Sequence, residues 1–222
     1  MTPVRWLLVH PPLLGPAVLQ PLAGALRARG EEVVVPDLRA EVESAPGWPD
    51  RYTRAAAATG PADVVVGFSG AGVVLPSIAV ATEAERVVWV DAGMPARSGV
   101  TVPDDDIRSR MAVLIRDGRI LEWTTWWEPG TLEELVPDPR LRDAIGAEGH
   151  QLPADFYDIA VPVPDVWPED GARYVQLSPA YDGDAGEARA RGWPVAGYQH
   201  GSHLDVATAP GDIAVEVAGM LG

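Results

Sequence analysis

Two kinds of apolar pattern alternate along the first hundred residues. Short unbroken apolar runs, "VRWLLVH" (4–10), "EEVVVPDL" (31–38), "DVVVGFSG" (63–70) and "RVVWVDAGMP" (86–95), predict buried strands. A strand with one wet face would alternate polar and apolar residues, and these do not. "AVLQPLAGALRARG" (17–30) instead spaces its apolar residues at helical intervals and stops at Gly30, a favoured residue just past a helix end. "AGVVLPSIAVATEAE" (71–85) predicts a second helix despite Pro76. Strand alternating with helix implies a parallel sheet with right-handed crossovers, a doubly wound α/β architecture.

From about 96 to 170 the rhythm breaks. "PDDDIRSRM", "LEWTTWWEPG", "TLEELVPDPRLRDAI" and "IAVPVPDVWPEDG" read as short helices and loops without a buried strand. The β/α pattern returns with "ARYVQLS" (172–178), the helix "DAGEARARG" (184–192), the strand "WPVAGYQ" (193–199) and a last helix from "DIAVEVAGML" (212–221). The expectation is one domain over 1–222, with an inserted helical cap at about 96–170 over the C-terminal ends of the strands, where α/β sheets bind ligands.

Composition narrows the function. The chain has 222 residues, 47% of them hydrophobic, enough for a sizeable core. A net charge of −15 argues against nucleic-acid and anionic-membrane partners. Without cysteine there is no disulfide or thiolate metal site. All 17 basic residues are arginine, which with abundant Ala, Gly, Pro and Val fits a GC-rich bacterial coding bias. The N-terminal segment reads as a strand, not a signal peptide, so the expected setting is the cytoplasm.

The chemistry concentrates in Gly67-Phe68-Ser69-Gly70-Ala71, where a strand ends in a serine among small residues. That is the context of a nucleophile elbow, and equally of a glycine-rich turn holding a phosphate at a helix start. A serine nucleophile needs a base and a group to orient it. His203, in "YQHGSHLDVATAP" just past the last strand, is the candidate base, and His200 at the strand's own end reads as structural. Asp91 ends an apolar strand, where an unpaired carboxylate is costly. Asp182, with Asp184 beside it, stands before a helix, where an N-cap is a sufficient role.

Strand–His10, the elbow at Ser69, the inserted segment and the late His203 together resemble the α/β-hydrolase superfamily. The opening "VHPPLLGPAVLQPLAGALRARGEEVVVPDL" is similar to the start of its small esterase and hydroxynitrile-lyase-like members, and "SHLD" to their histidine segment. The resemblance covers nearly all of the chain outside the cap and implies acyl transfer through a Ser-His-acid triad. It places the acid at Asp182 in most members and at Asp91 in others. Asp91 is favoured because His203 offers it a partner, and Asp182 is the runner-up.

An oxyanion hole needs two N–H donors. Gly70 supplies one, and the other belongs to the loop after the first strand, here His10-Pro11-Pro12-Leu13, where neither proline has an N–H. Leu13, or Leu14, is the remaining donor, and His10 either orients the loop or faces the pocket. Trp123, Trp126 and Trp127 at helical spacing would share one face and, with His10 and Phe68, line a pocket for a mostly apolar small molecule. Phe156, Tyr157 and Trp167 add to the cap's aromatic content, and the Asp104-Asp105-Asp106 run reads as a solvated helix start. No metal or cofactor is expected. The activity expected is serine hydrolysis of an ester, thioester or lactone. The alternatives are a lyase or cyclase of bacterial secondary metabolism using the same pocket, and a non-catalytic small-ligand binder.

Overall fold

The computed structural model describes residues 3–197 and 201–221. Strand β1 (Arg5–Val9) leads through a 3-10 turn (Pro16–Leu19) into α1 (Gln20–Ala28) and β2 (Glu32–Val34). Then come α2 (Trp48–Ala57), β3 (Val64–Ser69), a 3-10 turn (Gly70–Val74), α3 (Leu75–Ala81) and β4 (Arg86–Ala92). The segment after β4 holds β5 (Val100–Thr101), α4 (Asp105–Ala112), β6 (Ile115–Arg116), β7 (Arg119–Ile120), α5 (Thr131–Leu135), α6 (Pro139–Ala147), β8 (Leu152–Pro153) and β9 (Val161–Pro162). The chain returns to the sheet with β10 (Ala172–Val175), α7 (Asp182–Ala190), β11 (Val195–Ala196), α8 (Asp205–Thr208) and α9 (Pro210–Gly219).

Among the described residues the main sheet has six strands in the order β11-β10-β4-β3-β1-β2, all parallel. Alternate side chains enter different cores. Leu7, Val9, Val65, Val87 and Trp89 pack with α2, α3 and α7, whereas Trp6, Leu8, Val64, Val66, Val88 and Val90 pack with α1 and α9. Both faces are dry, and each fully buried Leu or Val contributes about 1.5–3 kcal/mol.

Three expectations need revision, and one helix is an addition. The helix expected over 71–85 opens as a 3-10 turn and stops at Ala81, because Glu83 turns back with φ of 57°. Strand β2 is an edge strand of three residues with Glu32 exposed, so it is not buried on both faces. Helix α2 was not anticipated, although Trp48, Tyr52 and Ala56 recur every fourth position on its buried side, behind Pro49 in its first turn. The 96–170 segment is not purely helical. It carries two small antiparallel sheets, β5–β9 and β6–β7–β8, whose Ile120 and Leu152 are fully buried. Two-residue pairings are too short for a period to be visible in sequence. His200 and the end of the "WPVAGYQ" segment lie outside the described residues.

Candidate functional site

Ser69 ends β3 with φ of 56° and ψ of −127°, a conformation non-glycine residues rarely adopt. The turn is braced on both sides. Gly93 N–H donates to the Ser69 carbonyl at 3.0 Å, and the Trp89 indole N–H donates to the Gly72 carbonyl at 2.9 Å. The small residues have separate reasons. A Cβ on Gly67 would meet the Leu75 side chain at 2.6 Å, and one on Gly72 would lie 2.1 Å from the Gly93 carbonyl oxygen. The 3-10 turn after β3 therefore approaches the end of β4 more closely than any side chain at Gly72 would permit.

One strand over, the register between β3 and β4 slips. Phe68 pairs with Val90 but Ser69 pairs with Ala92, so Asp91 is the extra residue of a bulge, and its φ is 44°. Bulges re-aim side chains, and this one is held from β10, whose Tyr174 hydroxyl donates to the Ala92 carbonyl and accepts from the Ala92 N–H. Asp91 is fully buried with four donors around it. Oδ1 accepts from the N–H groups of Leu177 (2.8 Å) and Ser178 (3.1 Å), and Oδ2 accepts from Ser178 Oγ (2.6 Å) and His203 Nδ1 (2.7 Å). A buried carboxylate satisfied this fully is stable in place. With its proton on Nδ1, His203 keeps the Nε2 lone pair available as a base.

The imidazole of His203 is stacked on Phe68 (centroids 4.5 Å apart, 26° between planes) and on Tyr181 (4.9 Å, 13°). The Tyr181 hydroxyl lies 3.1 Å from Ser69 Oγ and, among the described residues, is that oxygen's hydrogen-bond partner. Burial pushes the Tyr181 phenol up to about 12, so the hydroxyl keeps its proton near neutral pH. Tyr181 and Ser178 escaped the sequence reading. The available signal was their place directly after β10, in the segment that also supplied the candidate Asp182.

Asp182 makes no hydrogen bond or ion pair with His203, whose carboxylate partner is Asp91. Asp182 is the first residue of α7, exposed, and accepts from Gln176 Nε2 at 2.5 Å. Nor does either aspartate cap that helix as expected: Tyr181 holds the cap position without a side-chain bond, and Asp184 accepts from Met94 N–H at 2.8 Å. Asp104 does begin a helix, accepting from Ile107 N–H at 2.7 Å.

His10 does not face an open pocket. It is fully buried, donates from Nδ1 to the Pro11 carbonyl (3.0 Å) and accepts at Nε2 from Leu38 N–H (2.9 Å). Desolvation by burial lowers its pKa to about 4, in keeping with a neutral ring that must accept. His10 thus braces the loop after β1. In that loop Leu14 N–H closes a turn onto the Pro11 carbonyl at 3.1 Å, whereas Leu13 N–H has no acceptor among the described residues. The loop stands against the elbow, since a Cβ on Gly70 would come within 3.5 Å of Pro12 Cδ. His150, from the segment after α6, donates from Nε2 to the Pro12 carbonyl at 2.7 Å.

Phe68 is also fully buried, so it forms a floor under His203 and not a pocket wall. The three tryptophans do not share a helix face. Trp123 begins a 3-10 turn that ends at Thr125, Trp126 packs on the core of α2 and α3, Trp123 packs on the opposite core, and Trp127 is 38% exposed. Two clefts, of about 700 and 410 Å³, are lined by charged residues and do not include Ser69. No helix among the described residues is long and apolar enough to cross a membrane.

No family model matches the chain, and no curated protein matches it. Solved structures do. A polyneuridine aldehyde esterase mutant aligns over 100% of both chains at 14% identity, with a TM-score of 0.73. An extracellular α/β-hydrolase from a Paenibacillus species, described as sharing structural and functional homology with tobacco salicylic acid binding protein 2, aligns over 99% of both chains at 17% identity and a TM-score of 0.72. A pyrethroid hydrolase from Sphingobium faniae aligns over 99% of this chain and 98% of its own at 18% identity and 0.70.

Proposed function

We propose that this chain, which has the α/β-hydrolase fold, is a serine hydrolase that cleaves an ester, thioester or lactone of a small, mostly apolar molecule. The observation that carries the reading is the 2.7 Å bond between His203 Nδ1 and a buried, four-donor Asp91, beside a strained Ser69 at the end of the adjacent strand. Support for the chemistry also comes from the neighbours named as an esterase and hydrolases.

In this reading Ser69 Oγ attacks the carbonyl carbon while its proton passes to His203 Nε2. The carbonyl π electrons move onto oxygen, and the oxyanion is held by Gly70 N–H, which as the first donor of the 3-10 turn has no intrahelical acceptor. Collapse breaks the bond to the leaving group, which departs with the proton from His203. Water then repeats the sequence on the acyl-Ser69 ester, releasing the acid and returning the proton to Ser69. Asp91 holds the ring with its proton on Nδ1 and stabilises the imidazolium in between.

A panel of p-nitrophenyl and thioester substrates of increasing acyl length tests this. Turnover that disappears in Ser69→Ala supports the reading, and turnover that survives it refutes the serine mechanism.

A further inference from the structure

On the oxyanion side Gly70 N–H is one donor, and the loop after β1 leaves Leu13 N–H, without an acceptor among the described residues, one residue past Pro12. The loop that should face Gly70 presents Pro12, whose ring carbon Cδ stands beside Gly70 where an N–H would otherwise point. Beside Ser69 stands a hydroxyl that the acyl-transfer sequence above does not use. Tyr181 Oη is 3.1 Å from Ser69 Oγ, and its ring lies nearly parallel to that of His203, 13° between planes. Phe68 stacks on His203 too, and no ring contact joins Phe68 to Tyr181, so the two occupy opposite faces of the imidazole. The stack fixes where the hydroxyl points.

We infer that Tyr181 is a catalytic residue, its hydroxyl donating the second hydrogen bond to the oxyanion that forms when Ser69 attacks. This rests on the serine-hydrolase reading. Before attack the Tyr181 O–H donates to Ser69 Oγ, leaving the serine's own proton for His203. When Oγ bonds to the carbonyl carbon and gives its proton to His203, the negative charge appears on the oxygen of that same carbon, which becomes a far stronger acceptor than Oγ. A donor already 3.1 Å from Oγ reaches that oxygen by a small rotation about the phenolic C–O bond. The hydrogen bond shifts from one oxygen to the other and no proton is transferred. The raised phenol keeps the donor intact throughout.

Tyr181→Phe tests the inference, because it keeps the ring stacked on His203 and removes only the hydroxyl. The expected result is a fall in kcat, and in the single-turnover acylation rate, of about 100-fold, the lower end for loss of one oxyanion donor. KM for a p-nitrophenyl ester and the thermal midpoint stay unchanged. Replacing Tyr181 with 3-fluorotyrosine, which keeps the hydroxyl, retains the wild-type rate. Acylation in Tyr181→Phe that is as fast as wild type or faster overturns the inference, and so does failure of the fluorinated residue to rescue. Those outcomes leave Ser69 as nucleophile. If instead the wild-type protein turns over no ester and its Ser69 takes no fluorophosphonate, the serine reading itself falls, and the role of Tyr181 falls with it.

Discussion

Asp91→Asn should cost far more activity than stability, and the reason lies in which atoms can donate. Asp91 accepts from four donors. Two of these, the N–H groups of Leu177 and Ser178, converge on Oδ1 and cannot become acceptors. An asparagine therefore turns its carbonyl oxygen toward them and its NH2 toward Ser178 Oγ and His203 Nδ1. The serine hydroxyl adjusts by rotating to accept. The histidine adjusts only by moving its proton to Nε2, which removes the lone pair that has to take the proton from Ser69. The expected loss in kcat is about 10⁴-fold, or about 5 kcal/mol of transition-state stabilisation. The fold loses less, about 1–3 kcal/mol, because two bonds to a charge become ordinary ones. Initial rates on a p-nitrophenyl ester, with a thermal melt alongside, measure both. The matched control is Asp182→Asn: its carboxylate is exposed and meets Gln176, so kcat should stay within about twofold. An Asp91→Asn protein that is folded and retains a tenth or more of wild-type kcat refutes the assignment, decisively so if Asp182→Asn is the inactive one.

Acid should loosen the fold through His10. Its folded pKa of about 4 lies below the ordinary 6.5, so below pH 6.5 the unfolded chain takes up a proton that the folded chain refuses. Stability from this group is complete above pH 6.5 and falls by about 3 kcal/mol as the pH drops to 4. Denaturant titrations at pH 7 and pH 4.5 should show the decline, and a His10→Asn protein should show a smaller one. Gly72→Ala places a methyl against the Gly93 carbonyl and should cost about 2–3 kcal/mol, seen as a fall of about 5–10 °C in thermal midpoint. A midpoint within 1 °C of wild type would mean that the elbow and β4 are not held at this spacing.

Much of the sheet was legible because its central strands are dry on both faces. "RWLLV", "VVVGFS" and "RVVWVDA" announce themselves as unbroken apolar runs, and all three are strands at the positions expected. The edge strand β2 was over-read, since "EEVVV" ends in a similar valine run but only Val33 of the strand is buried. The tryptophans of 123–127 misled because spacing alone does not distinguish an α-helix from a 3-10 turn followed by bends. At the site, Ser69 and His203 stood out by residue type and by their places at strand ends. The preference for Asp91 came from the cost of an unpaired carboxylate at a strand end, and its bond to His203 is in the structure. The bulge at Asp91 and the Tyr181 hydroxyl over Ser69 were not legible, because the first depends on the register between β3 and β4 and the second on stacking between segments more than a hundred residues apart.

The most direct test of the central reading is covalent. Wild-type protein treated with a fluorophosphonate, digested and mapped by mass spectrometry should carry one adduct, on the peptide containing Ser69. Asp91→Asn should acquire it orders of magnitude more slowly, and Ser69→Ala not at all. A folded wild-type protein that stays unlabelled, or one labelled at a residue other than Ser69, would contradict the account.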